Sequence, residues 1–124
     1  MQEYVKNKNH RTILITGVTG FIGKNFFYRI KNLKPIGIRF NSEMPAPEEN
    51  ILKIDLRDKK QVNELFNRVM PDVIYHFAAL TSPKINEENV KLARQSHIEV
   101  TNNILHNISN DTHLIYHSIT LLSD

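Results

Sequence analysis

The sequence predicts an α/β domain: a doubly wound parallel sheet with helices on both faces. Three observations predict it. Strand-like apolar runs alternate with helical patterns along the chain. The first run, Thr12 to Thr16, is continuously apolar at its centre, as suits a parallel strand buried on both faces. It passes straight into three glycines at three-residue spacing, Gly17, Gly20 and Gly23, and a helical pattern follows at once.

The elements follow in order. Met1 to Arg11 is a polar, flexible lead-in, and residues 12–124 form one domain. Helix one is expected over Phe21 to Leu33, with Phe21, Ile22, Phe26, Phe27, Ile30 and Leu33 recurring at helical spacing. Pro35 restarts the chain, and Pro35 to Phe40 reads as strand two. Asn41 to Asn50, with two prolines, reads as a solvated loop. Ile51 to Ile54 is a short strand three. Asp58 is an N-cap candidate for helix two, Lys59 to Met70, which buries Val62, Leu65, Phe66 and Val69. Asp72 to Phe77 is strand four. A long helix covers Glu88 to Ile108, and His113 to Ser118 is strand five. Right-handed crossovers then give the order 3-2-1-4-5, with the switch point between strands one and four. Ligands of such sheets sit there, beyond the carboxyl ends of the strands.

Composition removes several functions. The chain has 124 residues, 16 basic and 13 acidic, for a net charge of +3. The charges are scattered, with no Lys/Arg stripe and interleaved aromatics, so no nucleic-acid partner is expected. It has no cysteine, which excludes disulfides, thiolate nucleophiles and zinc–thiolate centres. No apolar run reaches membrane length, and the N-terminus carries no signal-like apolar core. The expectation is a cytoplasmic protein without a membrane partner.

The glycine turn is the grammar of a dinucleotide site. Gly17 permits the tight turn, Gly20 lets phosphate oxygens approach the backbone, and Gly23 lets the helix lie close on the strand. The helix N-terminus offers free N–H groups to a pyrophosphate. A phosphate-binding loop of the GxxxxGK[ST] type fails on spacing, because Val18 and Asn25 stand where Gly and Ser/Thr are required. The rival reading is an ordinary strand–turn–helix with glycines for geometry.

Three motifs decide between these readings: Thr16-Gly17-Val18-Thr19-Gly20-Phe21-Ile22-Gly23, Asp55-Leu56-Arg57-Asp58 and His76-Phe77-Ala78-Ala79. In order and spacing they resemble TGxxGFIG, DLxD and HxAA of the extended short-chain dehydrogenase/reductases, the NAD-dependent epimerase/dehydratase family. The resemblance runs from Arg11 to the end and implies the N-terminal part of a Rossmann-like fold, truncated after strand five. It implies that Gly17, Gly20 and Gly23, with the backbone around Phe21 and Ile22, face the pyrophosphate. Asp55 and Leu56 would lie beside the adenine, the carboxylate accepting from its amino group. Ala78 and Ala79 would pass the ribose and nicotinamide, and Thr81, Ser82 and Ser118 would stand towards a sugar-nucleotide substrate. The competing reading of Asp55 is a helix-start cap. His76 reads as a strand-end packing residue.

The sequence also departs from the family pattern. The catalytic Tyr-x-x-x-Lys is missing from the expected place, and Tyr4-x-x-x-Lys8 matches only by letter, before the first strand. In the family that pair lies on the helix after strand five, and this chain ends earlier. Ile119 stands at the catalytic Ser/Thr position, and Leu122-Ser123-Asp124 replaces Val-Tyr-Gly. The long helix carries Glu99-Val100-Thr101-Asn102-Asn103 where Asn-Val-x-Gly-Thr is usual. Strand two ends without an acid for the ribose 2′-hydroxyl, and Arg39 there tilts the cofactor from NAD towards NADP. A solvated strand-end arginine is the alternative. His113 and His117 share a strand face but stand roughly 13 Å apart, too far for one metal. His97 and His106 read as solvated.

Two functional classes remain at this point. One is the NAD(P)-binding part of a nucleotide-sugar epimerase or dehydratase, inactive alone for want of its base. The other is a non-catalytic module that binds nucleotide or protein, with self-association or a partner chain covering its apolar surface. A fragment of a longer reading frame fits either.

Overall fold

In this computed structural model, residues 11–40, 50–77 and 87–116 are described. The strands are β1 (Ile13–Thr16), β2 (Ile36–Arg39), β3 (Ile51–Lys53), β4 (Val73–His76) and β5 (His113–Tyr116). The helices are α1 (Phe21–Arg29), α2 (Lys59–Val69) and α3 (Glu87–Leu105). All strand pairs are parallel, in the order β3-β2-β1-β4-β5. The expected α/β architecture and strand order are both present.

The sheet buries one face under α1 and the other under α2 and α3. On the α1 side Ile15, Val18 and Phe27 form the centre, flanked by Phe26, Tyr75 and Phe77. On the other side Leu14, Ile38 and Ile74 meet Val62, Leu65, Phe66 and Val69 of α2 and Ile104 of α3. Alternate residues of β1 therefore serve opposite layers, as the period of a strand dictates. The amino edge is closed by Asp72, whose carboxylate accepts from the Thr12 N–H at 2.7 Å.

Helix one is shorter than its apolar spacing predicts. α1 ends at Arg29, a 3-10 turn takes Lys31–Leu33, and Lys34 turns left-handed at φ 54°. Pro35 disfavours the right-handed helical region for the residue before it, so no helix continues past Lys34. The same device ends α2, where Met70 at φ 46° precedes Pro71. Phe21, Ile22 and Leu33, expected on the buried face, are exposed. The first two belong to a helical turn at the carboxyl edge of the sheet, and Leu33 belongs to the 3-10 turn. Asp58 caps α2 as expected, accepting from the Lys60 N–H at 3.0 Å. Among the described residues no helix is long and apolar enough to cross a membrane.

Candidate functional site

β1 delivers the chain to the sheet's carboxyl edge between β2 and β4, where the connections diverge. Gly17 then takes φ 68°, a region that glycine enters without steric penalty. The Gly20 N–H donates to the Gly17 carbonyl at 3.1 Å, and the Lys24 N–H donates to the Gly20 carbonyl at 2.9 Å. A Cβ on Gly23 would collide with the Gly17 carbonyl oxygen and stand 2.8 Å from its carbon. The turn and the helix therefore touch backbone to backbone.

Gly20 differs. Its backbone is extended, at φ −75° and ψ 165°, and open to any residue. Among the described residues a Cβ there would meet only the Gly17 oxygen, at an ordinary 3.4 Å. The fold explains Gly17 and Gly23 but, among the described residues, leaves Gly20 beside open space. That space adjoins the N-terminus of α1, which has no side-chain cap and no acid in its first turn. Phe21 is 86% exposed and Ile22 40%. The positive end of the helix is therefore open.

The β2–β3 rim is preordered. Arg39 is half-buried at the end of β2, and its carbonyl accepts from the Ile54 N–H at 2.9 Å. Just beyond β3, Asp55 Oδ1 accepts from the Arg57 backbone N–H at 3.0 Å and from its Nε at 3.1 Å. Oδ2 accepts from Arg57 Nη2 at 3.3 Å. The hydrogen bonds to Asp55, then its charge, raise the guanidinium pKa. The guanidinium lies over the Phe40 ring, 4.9 Å from its centre. Asp55 is not the cap of α2; Asp58 holds that place, and the Gln61 amide lowers its pKa. Leu56 is buried in the core. Its carbonyl and that of Arg57 both accept from Asn103 Nδ2 of α3, at 3.0 and 3.1 Å. Asn103 fixes this turn, and the family motif gave no sign of it, because the helix departs from the usual pattern there.

His76 closes the β4 side. It is 1% exposed, and its Nδ1 shares a 2.7 Å hydrogen bond with Thr16 Oγ1. The Phe77 N–H also donates to that oxygen, at 3.1 Å. His76 Nε2 has no partner among the described residues. Burial, helped by His97, pushes the His76 pKa down to about 4, so the ring is neutral at neutral pH. This agrees with a packing role. His97, expected to be solvated, is instead half-buried: its ring lies 6.4 Å from His76 and 6.0 Å from Tyr116. Its spacing on α3 gave no warning, because β5 supplies the cover. Ala78, Ala79, Thr81, Ser82, Ser118 and His117 lie outside the described residues, as do Tyr4 and Lys8.

The parallel sheet, its strand order and the glycine turn at the switch point define a Rossmann-like α/β domain. The sequence model of the NAD dependent epimerase/dehydratase family matches residues 13–120, and the chain belongs to that family. It is similar to methionine adenosyltransferase 2 subunit beta of Bos taurus, 28% identical over 100 residues, covering 79% of this chain and 29% of that protein. The L-threonine dehydrogenase structure from Clostridium difficile superposes with a TM-score of 0.71 at 25% identity, covering 86% of this chain and 36% of that one. The UDP-glucose-4-epimerase of Stenotrophomonas maltophila, with bound NAD and formylated UDP-arabinopyranose, superposes at 0.67 and 19% identity, covering 90% and 38%. This chain thus spans less than a third of the curated relative's length.

Proposed function

We propose that this chain is the NAD(P)-binding part of a cytoplasmic nucleotide-sugar epimerase/dehydratase-like protein. The observation that carries the reading is Gly20. Its lack of a side chain serves no close contact among the described residues, and it borders an uncapped helix N-terminus. A pyrophosphate fits that space and would accept from the first N–H groups of α1, around Phe21 and Ile22. Gly17 and Gly23 shape the turn, Asp55 and Leu56 flank the adenine, and Arg39 meets the 2′-position, favouring NADP. Ala78 and Ala79 follow the ribose and nicotinamide, with Thr81, Ser82 and Ser118 towards the sugar nucleotide. Bound NAD(P) supplies the hydride acceptor. These residues bind and orient it, and no Tyr-x-x-x-Lys pair lies among residues 12–124. The 124 residues alone are expected to show no turnover.

Calorimetric titration of the purified chain with NADH and NADPH tests this. Binding of either, lost in Gly20→Val with thermal unfolding still cooperative, supports the reading. Tighter NADPH binding, abolished in Arg39→Ala, supports the role of Arg39. Failure of the folded chain to bind either dinucleotide would exclude the proposal. A second reading, a non-catalytic module that acts by self-association, is favoured by the apolar residues Leu92, Ile98 and Leu105 of α3 and Ile115 of β5, all exposed.

A further inference from the structure

We propose that Arg57 is a positioning residue for nucleobase recognition, holding the Asp55 carboxylate so that Oδ2 is presented to the 6-amino group of adenine. The inference rests on the nucleotide reading above and adds a residue to it. Arg57 occupies the unspecified position of the DLxD motif, so the motif assigns it nothing.

The two oxygens of Asp55 are used unequally. Oδ1 takes both close contacts, from the Arg57 backbone N–H at 3.0 Å and Nε at 3.1 Å. Among the described residues Oδ2 takes only the longer one, from Nη2 at 3.3 Å. A carboxylate offers about four lone-pair sites, so Oδ2 retains acceptor capacity. The carboxylate plane is held by the planar fork of the guanidinium, a geometry that a lysine cannot reproduce. The guanidinium is itself held, because it lies over Phe40, which directly follows β2. Asn103 holds the backbone beneath through the Leu56 and Arg57 carbonyls. The acceptor is thus held by Arg57, itself placed by Phe40 and by the Asn103-anchored turn, before any ligand arrives, which lowers the ordering cost of binding. Arg57 is exposed and not part of the core, so its substitution is expected to leave the fold intact.

The test is calorimetric titration of the full chain with NADH and with reduced nicotinamide hypoxanthine dinucleotide. The second compound carries an oxo group in place of the 6-amino donor. The wild type is expected to prefer NADH by about tenfold, the worth of one hydrogen bond to a charged group. Arg57→Ala and Arg57→Lys are expected to lower that preference towards unity, with the affinity for the hypoxanthine compound little changed. In an Asp55→Ala background, Arg57→Ala is expected to change nothing further, because the two act as one unit. Wild-type preference with an unchanged ratio in Arg57→Ala overturns the role of Arg57 and leaves the nucleotide reading standing. No binding of either dinucleotide by the wild type overturns both.

Discussion

At the scale of single residues, His76 is the most consequential buried polar group described. Its ring is neutral because burial holds its pKa near 4, against an ordinary value of 6.5. The unfolded chain takes up a proton at this ring near pH 6.5, and the folded chain only near pH 4. Stability is therefore undiminished above the higher value and falls as the pH drops towards the lower. The loss amounts to roughly 3 kcal/mol at 1.36 kcal/mol per pH unit. Urea unfolding at pH 7.5 and pH 4.5 measures it. His76→Gln is expected to lose less stability over that interval than the wild type, and equal losses would rule the explanation out. The three glycines were legible in the sequence, and so were the turn at Gly17 and the close approach at Gly23. Whether a Cβ at Gly20 meets protein or open space depends on where the Gly17 carbonyl points.

At the scale of elements, α1 and the turn pack tightly where they cross β2. A Cβ on Gly37 would stand 2.8 Å from Val18 Cγ1 and 3.2 Å from Phe27 Cε2. Gly37→Ala is expected to destabilise the chain by about 1–3 kcal/mol through overpacking. Adding Val18→Ala should cost less in that background than alone, since it relieves the contact; denaturant midpoints of the four proteins check this. Helix two was legible throughout because its apolar stripe and its Asp58 cap agree. Helix one was over-extended because its apolar spacing continued to Leu33 while Pro35 had already set the end. The role of Asn103 was illegible, since its two acceptors come from a turn far away in sequence.

At the scale of the molecule, α3 and the edge strand β5 both carry exposed apolar residues. Ile98 of α3 is 61% exposed and Ile115 of β5 44%, and a cleft of about 340 Å³ is lined by Ile98 with Arg94, His97, Thr101 and Tyr116. β5 pairs only with β4 among the described residues, so its other edge offers unpaired backbone groups. Sedimentation velocity over a micromolar concentration series is expected to show reversible association, weakened in Ile98→Lys. A monodisperse monomer at every concentration would count against the self-association reading.

The sequence by itself determined the class of fold, the strand order, the switch point and the family, because alternation of elements and glycine spacing are local and periodic signals. Tertiary structure decided what each site residue touches. It placed Asp55 in the grip of Arg57 instead of at a helix cap, covered His97 with β5, and left Gly20 facing open space among the described residues. Those facts depend on contacts between residues distant in the chain or on the direction of single bonds, and neither leaves a periodic trace in the sequence.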